Sequence, residues 1–264
     1  SLGSRDIFDL IVSSAGDEEL KDCRSGEQCV GAPDDFLSQP VKYEDGLLLA
    51  WDGSPVMMGW EAPLMQASAE KLAPQGKSVL NIGFGLGLID TAIEAFQPAH
   101  HTIVEAHPDV LREMRVRGWY AKEHVTVKEG RWEDADLGVF DAIYYDTYAE
   151  SYEDRRVFHQ RLPSLLRPGG CYSYFNGGHA HSVFWHAVSC YMAMVELGHL
   201  GLRLEFVRIK AQSDWTGFSG WYWQFPFYLV PIARHFDASV DSVQYGVDLA
   251  RRIPLEANDT KSLL

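Results

Sequence analysis

Short apolar runs rich in β-branched and aromatic residues alternate with helical stretches from Lys77 onward. This alternation predicts an α/β fold in which a mostly parallel sheet is covered by helices on both faces. We expect strands at 78–82, 101–105, 125–129, 142–145 and 171–175, and helices at 63–72, 88–95, 108–118, 150–166 and 183–197.

Two further strands are predicted at 202–209 and 222–232, and their closeness along the chain favours an antiparallel pair. They bring the predicted sheet to seven strands and the predicted domain to residues 76–234. Residues 1–75, which we name the cap, are acidic and broken by Pro and Gly, with few regular elements before their final helix. The polar tail, residues 235–264, has no assigned role.

The segment SVLNIGFGLGLID is predicted to form a strand, a glycine-rich turn and a helix. Gly83, Gly85 and Gly87 allow a tight turn and a close approach of the backbone to a ligand, which then meets the positive end of the helix. A dinucleotide fingerprint needs a third glycine at position 88, which is leucine here. The spacing therefore favours a cofactor without a pyrophosphate. We call residues 83–87 the glycine turn.

Acidic and aromatic residues follow the next two predicted strands. Glu105 closes the second strand, at the place where an acidic side chain binds ribose hydroxyls. After the third strand, EGRWED places Trp132 and Glu133 where an adenine can stack and form hydrogen bonds. The alternatives are an ordinary exposed carboxylate for Glu105 and a core position for Trp132. Together these residues lie at the carboxyl ends of adjacent strands, where open α/β sheets bind ligands.

A carboxylate ends the fourth predicted strand in the segment FDAIYYDTYAE. Asp146 follows the buried strand directly, which indicates a polar role at the same edge of the sheet; its alternative is the N-cap of the next helix. His179 and His181 follow the fifth strand without an evident third ligand, so no metal is predicted. The aromatic run at 221–228 is interpreted as a buried strand rather than a stacking surface for nucleic acid.

Composition and charge argue against several classes of function. The chain has 37 acidic and 23 basic residues and a net charge of −14, which opposes binding to nucleic acid and suits a cationic ligand. No apolar run approaches the roughly 20 residues of a membrane helix. The four cysteines lack a CxxC pair, so we expect free thiols in a reducing, cytoplasmic compartment, with the nucleus as the alternative. The oligomeric state is left open.

Four motifs together resemble class I S-adenosylmethionine-dependent methyltransferases: NIGFGLG, VEAHPDVL, EGRWED and YYDTY. Within that class the chain resembles the guanidino-directed branch, which contains guanidinoacetate N-methyltransferase and the fungal-type arginine N5-methyltransferase. The motif PVMMGWEAPLM, residues 55–65, is specific to this branch. The resemblance implies a Rossmann-like fold with an N-terminal cap. Ankyrin-type repeats, which often precede the arginine enzyme's catalytic domain, are absent from the sequence, so a small acceptor and a truncated chain both stay open.

The family pattern implies which residues surround S-adenosylmethionine and which hold the methyl acceptor. Glu61 and Asp146 are implied to hold a guanidino group, and an aromatic residue of the cap, Phe36 or Tyr43, is implied to close the site. The residues implied near the substrate are also Asn176, Gly177 and Gly178, and those implied around the cofactor are Met57, Gly83, Phe84, Gly85, Leu86, Gly87, Glu105, Ala106, Trp132, Glu133 and Asp146.

The two carboxylates suggest a mechanism. A guanidinium has a pKa of about 12.5 to 13.8 and delocalised lone pairs, so binding alone does not make its nitrogen a nucleophile. We expect Asp146 to accept the proton as the nitrogen attacks, and Glu61 to orient the planar group. The predicted reaction is methyl transfer to a guanidino nitrogen of an arginine side chain, free arginine or a small guanidino compound. The alternatives are another small amine as acceptor and a catalytically idle, cofactor-binding regulatory subunit.

Overall fold

A seven-stranded sheet forms the centre of the chain. The computed structural model describes residues 33–148, 152–180, 182–211, 223 and 225–235. These residues form ten strands, of which seven belong to the large sheet and three to a smaller one. The strands are β1 (Lys42–Glu44), β2 (Leu47–Leu49), β3 (Pro55–Met58), β4 (Ser78–Ile82), β5 (His100–Glu105), β6 (Val125–Glu129), β7 (Phe140–Tyr145), β8 (Leu166–Tyr174), β9 (Leu202–Lys210) and β10 (Phe227–His235).

The large sheet has the strand order β6-β5-β4-β7-β8-β10-β9. Strand β4 pairs in parallel with β5 on one side and with β7 on the other. Because the chain leaves β4 in one direction and later returns to its other side, a crevice forms outside the carboxyl ends of these three strands. Strand β10 runs antiparallel to both β8 and β9. The prediction of a mostly parallel seven-stranded sheet that includes an antiparallel pair is confirmed.

Helices cover both faces of this sheet, and the alternation of side chains along each strand divides the core into two layers. In β7, Ala142 and Tyr144 belong to the layer with α2, α3 and α4, whereas Ile143 and Tyr145 belong to the layer with α5 and α6. Burial on both faces explains why residues 142–145 of this strand are an unbroken apolar run in the sequence. The helices are α1 (Pro33–Ser38), α2 (Ala62–Leu72), α3 (Leu88–Glu94), α4 (Pro108–Val116), α5 (Tyr152–Leu165) and α6 (Val183–His199).

The cap contains more regular structure than the sequence predicted. Helix α1 is followed by an antiparallel meander of β1, β2 and β3. The turn between β1 and β2 is Asp45-Gly46, whose φ angles of 41° and 80° are those of a tight hairpin turn that favours Asp-Gly. The expectation of few regular elements in this part of the cap was wrong, because strands of three residues are too short to show an alternating pattern. Residues 1–32 lie outside the described part of the chain.

The starts of two strands differ most from the predictions. Strand β8 begins at Leu166 rather than at position 171, and a register shift between Phe140 and Ala142 of β7 accommodates the glycine pair within it. Strand β10 begins at Phe227, later than the predicted 222. The predicted loop between β9 and β10 and the tail after His235 fall outside the described residues. No helix in the described part of the chain is long and apolar enough to cross a membrane.

Candidate active site

A cavity of about 190 Å³ opens at the carboxyl ends of β4, β5 and β7. The glycine turn forms its floor, the segments that follow β5, β6 and β7 form its walls, and the cap covers one side. Its lining residues are Phe36, Leu37, Leu48, Val56, Met57, Ile82, Gly83, Gly85, Val104, Glu105, Ala106, His107, Val110, Gly130, Arg131, Trp132, Glu133, Asp146, Thr147, Tyr148 and Asp154.

Most of the residues predicted to surround the cofactor line this cavity. The exceptions are Phe84, Leu86 and Gly87, and the first two are instead buried in the core layer that contains α3. The strand order explains why the others meet, because the ends of β5, β4 and β7 are adjacent and the segment after β6 borders them.

The glycine turn is too closely packed to carry side chains at two positions. Gly83 has a φ of 88°, and a Cβ added there would lie 1.9 Å from the carbonyl oxygen of Asp146. Gly87 has a φ of 73°, and a Cβ there would lie 2.5 Å from Cζ of Phe84. The turn therefore needs glycine for its backbone angles and for the approach of neighbouring atoms.

Side chains from two other elements hold the carbonyl groups of the glycine turn. The hydroxyl of Tyr43, in the cap, donates to the carbonyl oxygen of Gly85 at 3.1 Å. Arg117, after α4, donates from Nη1 to the carbonyl oxygen of Leu86 at 2.8 Å, and its guanidinium carbon lies 5.3 Å from the Tyr43 ring centre. These contacts order the turn before any ligand binds, which lowers the entropy cost of binding.

Glu105 links the glycine turn to the end of β5. Its two carboxylate oxygens accept hydrogen bonds from the backbone N–H groups of Phe84 at 2.8 Å and His107 at 2.7 Å. Burial raises the pKa of Glu105, and these backbone hydrogen bonds oppose the rise. Glu105 is buried and lines the cavity, so it is not the exposed carboxylate of the alternative interpretation. Each oxygen keeps a further lone pair that can accept from a hydroxyl group.

Trp132 is both a core residue and a lining residue of the cavity, and its contact with an adenine stays a prediction. Its ring packs edge-on against Phe158, with ring centres 5.1 Å apart, and it belongs to the core layer with α5 and α6. It also lines the cavity, beside the exposed Glu133. Arg161, from α5, donates to the carbonyl oxygen of Trp132 at 3.1 Å and fixes the position of this segment.

Asp146 and Glu61 bring two carboxyl groups to one region from opposite parts of the chain. The backbone N–H of Asp146 donates to the carbonyl oxygen of Ile82 at 2.9 Å, which places this residue at the cavity edge beside β4. Glu61 is 3% exposed, and its Oε1 accepts from the backbone N–H of Met58 at 3.1 Å. Burial and, next, the charge of Asp146 raise the pKa of Glu61 well above its usual value. Glu61 is not among the described residues that line the cavity.

The segment of Asn176, Gly177 and Gly178 is anchored away from the cavity. The backbone N–H of Asn176 donates to the hydroxyl oxygen of Tyr228 at 2.6 Å, and its side-chain amide donates to the carbonyl oxygen of Leu229 at 3.1 Å. These three residues do not appear among the described residues of the cavity lining. Their predicted place near the substrate stays a prediction.

Aromatic residues cover the cavity from the cap. The ring of Phe36 lies between those of His107 and Tyr148, with ring centres 4.9 Å and 4.6 Å away. The hydroxyl of Tyr148 forms a 3.0 Å hydrogen bond with Oγ of Ser54, in the turn between β2 and β3. Of the two aromatic residues considered for closing the site, Phe36 therefore lies over the cavity, whereas Tyr43 holds the glycine turn.

Sequence reasoning missed the residues that hold the glycine turn through its carbonyl groups. Arg117 is 31 positions away from its partner Leu86, and a bond to a backbone carbonyl leaves no trace in the partner's residue type. Asn81 lies in the quoted glycine motif. Its polar side chain in an otherwise apolar strand is the one feature of the sequence that could have indicated that it holds the turn.

The fold and the site define a class I methyltransferase of the Rossmann-like type. A solved methyltransferase from Pyrococcus furiosus is similar in fold, with a TM-score of 0.51 and 13% identity over 81% of this chain and 97% of that one. The family described as guanidinoacetate N-methyltransferase matches residues 22–196, and this chain belongs to that family. The predicted membership of the guanidino-directed methyltransferases is confirmed.

Curated relatives carry the name protein arginine N-methyltransferase 2. The relative from Aspergillus oryzae is 41% identical over 213 residues, which cover 76% of this chain and 52% of the relative. The relative from Cryptococcus neoformans is 34% identical over 275 residues, which cover 89% of this chain and 74% of the relative. The chain thus spans about half the length of the Aspergillus relative.

Proposed function

We propose that this chain transfers the methyl group of S-adenosylmethionine to a guanidino nitrogen, and that Glu61 and Asp146 hold the guanidinium. The observation that carries this proposal is the burial of Glu61 close enough to Asp146 for their charges to interact. Two like charges in a buried place are costly unless a cation lies between them. A guanidinium suits the pair because it presents five N–H donors in a planar fork.

The residues of the cavity fit S-adenosylmethionine. A side chain at Gly83 would collide with the backbone of Asp146, so bare backbone borders the cavity there. We assign the amino-acid part of the cofactor to Gly83 and Gly85, the ribose to Glu105, and the adenine to Trp132 and Glu133. When bound, S-adenosylmethionine supplies an electrophilic methyl group on a sulfonium.

Asp146 is the proposed proton acceptor. Pairing with a carboxylate stabilises the guanidinium before the reaction and so makes the loss of its proton harder. When the nitrogen attacks the methyl carbon, the N–H becomes acidic, and an aligned carboxylate accepts the proton. We assign this step to Asp146 because it lines the cavity, and we assign orientation of the planar group to the buried Glu61.

We infer that the acceptor is an arginine side chain in a polypeptide. The support is the name of the relatives, at up to 41% identity, whereas the family description names guanidinoacetate, a small compound with the same functional group. We also propose that residues 76–234 form the catalytic domain and that the cap closes the site over the acceptor, because Glu61 and Phe36 both belong to it.

The test is a methyl-transfer assay with isotopically labelled S-adenosylmethionine, read by mass spectrometry. A protein extract, free arginine and guanidinoacetate are offered in parallel, and the expected result is label on arginine in protein. Label on a small compound alone would overturn the polypeptide acceptor. No label on any of the three, with cofactor binding confirmed, would overturn guanidino methylation and favour another amine or a regulatory subunit.

Asp146→Asn tests the proton acceptor separately. We expect turnover to fall by at least about 100-fold, because the amide cannot accept the proton, while the affinity for the cofactor changes little. Asp136→Asn, an exposed aspartate after β6, is the matched control. Turnover above about a tenth of the wild-type value would contradict the role of Asp146 as the base.

A further inference from the structure

Ionisable side chains form a buried cluster beneath the glycine turn, outside the cavity. His101, in β5, is fully buried, and its Nδ1 lies 3.0 Å from Oε1 of Glu94. Its Nε2 lies 3.2 Å from Oδ1 of Asp90, which is also fully buried. Both ring nitrogens therefore face carboxylates of α3. A neutral imidazole carries one N–H, so the ring can donate to both carboxylates only when it is protonated.

Asn81 connects this cluster to the glycine turn. Its side-chain Nδ2 donates to Oδ1 of Asp90 at 2.8 Å and to the carbonyl oxygen of Gly83 at 2.8 Å. Asp90 thus fixes the side chain that holds the first carbonyl group of the turn. Asp90 in turn lies 3.2 Å from Nε2 of His101, so an ion pair links the imidazole to the two hydrogen bonds of Asn81 that reach the cavity floor.

A second path runs through aromatic rings. The ring of His101 lies edge-on to Trp119, with centres 6.3 Å apart, and Trp119 lies edge-on to Phe84 at 5.2 Å. Phe84 is part of the glycine turn, and its backbone N–H donates to Glu105. A shift of His101 would therefore reach the turn from two sides.

The groups that surround His101 favour its protonated form. Burial alone would lower the pKa of His101, but the hydrogen bonds and charges of Asp90 and Glu94 outweigh it and raise the pKa. The other oxygen of Glu94 accepts from Lys122 and His124, both at 2.9 Å. The hydrogen bonds to these basic groups and His101 outweigh the burial of Glu94 and lower its pKa to about 2. Glu94 thus stays ionised beside the ring.

We propose that the imidazolium of His101 is a positioning group for the glycine turn, and that loss of its proton weakens the binding of S-adenosylmethionine. This inference rests on the proposed function, since it concerns the cofactor assigned to the cavity. It goes further, because it gives a role to three buried residues that touch neither cofactor nor acceptor. His101 acts through Asp90 and Asn81 on the carbonyl group of Gly83.

The direction of the pH dependence follows from the charge of His101. Its folded-state pKa is raised above 6.5, so the stabilising contacts are complete below the pKa of the unfolded chain and are lost as the pH rises through the raised pKa. After deprotonation, two carboxylates flank a neutral ring, and Asp90 keeps Asn81 as a partner but loses the ion pair with His101. Linkage is reciprocal. If protonation of His101 raises the affinity for the cofactor by a given factor, cofactor binding must raise the affinity of His101 for its proton by the same factor.

The experiment combines calorimetry and NMR on the full chain, with S-adenosylhomocysteine as the probe. We expect its dissociation constant to rise about tenfold between roughly pH 6 and pH 10 for the wild-type chain. The part of this rise that is due to His101 should be absent from His101→Gln. Any rise that remains in the variant reports deprotonation of the amino group of the probe itself. His124→Gln, which removes a partner of Glu94 but leaves His101 in place, is the matched control and should keep the wild-type profile.

NMR titration of the wild-type ring gives a second readout that a purely structural role would not move, and it does not depend on folding of the variant. We expect the proton dissociation constant of His101 to fall about tenfold when the probe is bound. Identical constants with and without the probe, or parallel pH profiles for wild type and His101→Gln, would overturn this inference alone. No binding of the probe at any pH would overturn the proposed function and the inference together.

Discussion

Replacing Glu61 by glutamine should weaken acceptor binding and stabilise the free protein at the same time. The amide has nearly the shape of the carboxyl group, and its oxygen can still accept the hydrogen bond from the backbone N–H of Met58. The change therefore removes the ability of this side chain to ionise and little else. The substitution distinguishes a role in acceptor binding from a role in the core. Replacing an ordinary core residue would not make the protein more stable while its activity is lost.

The loss of affinity follows from the burial of the pair. Removing one partner of a buried, hydrogen-bonded charge pair costs about 2 to 5 kcal/mol, and each 1.4 kcal/mol is a factor of ten. Because Asp146 still holds the cation in the variant, we expect the lower end of this range. The Michaelis constant for an arginine acceptor should rise by about 30-fold or more, while the affinity for the cofactor stays within about twofold.

The gain in stability has a defined pH window. Burial and the Asp146 charge raise the pKa of Glu61 above the value of 4.5 that it has when unfolded. The folded wild type holds a proton that the unfolded chain releases, so its stability falls as the pH rises from about 4.5 to the raised pKa. Glu61→Gln lacks this loss, and its advantage in free energy of unfolding should widen across that window.

Thermal unfolding at several pH values and initial-rate kinetics measure both effects. Glu70→Gln, an exposed position on α2, is the matched control and should change neither quantity. A Glu61→Gln enzyme with the wild-type Michaelis constant would refute the assignment of Glu61 to the acceptor. A variant that is less stable than wild type at neutral pH would refute the account of two buried, repelling carboxyl groups.

Three further predictions address the cofactor site and the acceptor. Gly83→Ala should abolish cofactor binding in calorimetry because its Cβ has no room, whereas Gly118→Ala, with similar φ and open space, should lose only about 1 to 2 kcal/mol of stability. Tyr43→Phe should weaken cofactor binding by roughly 2- to 12-fold, the value of one hydrogen bond; an unchanged affinity would show that the bond is unimportant. The Michaelis constant for the acceptor should fall as the pH rises through the raised pKa of Glu61, because the cation binds the ionised group, and this dependence should be absent from Glu61→Gln.

The sequence was sufficient for the features that depend on local pattern. Strand β7 is visible as an apolar run because both of its faces are buried, and the glycine turn is visible because its packing excludes side chains. Asp146 and Glu105 could be found because they end such strands. Each of these signals lies within a few residues of the feature that it predicts.

The features that depend on distant packing were not accessible. The pairing of Asp90 with His101 requires the register of β4 and β5 and the position of α3 above them, which no local pattern contains. The burial of Glu61 near the charge of Asp146 depends on how the cap packs against the sheet. The meander of the cap was missed for a different reason, since its two first strands are three residues long.

The short segment from Met57 to Glu61 contacts the glycine turn at its start and lies close to Asp146 at its end. Met57 accepts a hydrogen bond at its sulfur from the backbone N–H of Leu86 in the glycine turn, and four positions later Glu61 is the N-cap residue directly before α2. An insertion or deletion between them would misplace one residue or the other. A change of acceptor during evolution is therefore expected to come from substitutions within this segment. Insertions and deletions are expected in the turns before β3, such as that around Gly53, where there is open space.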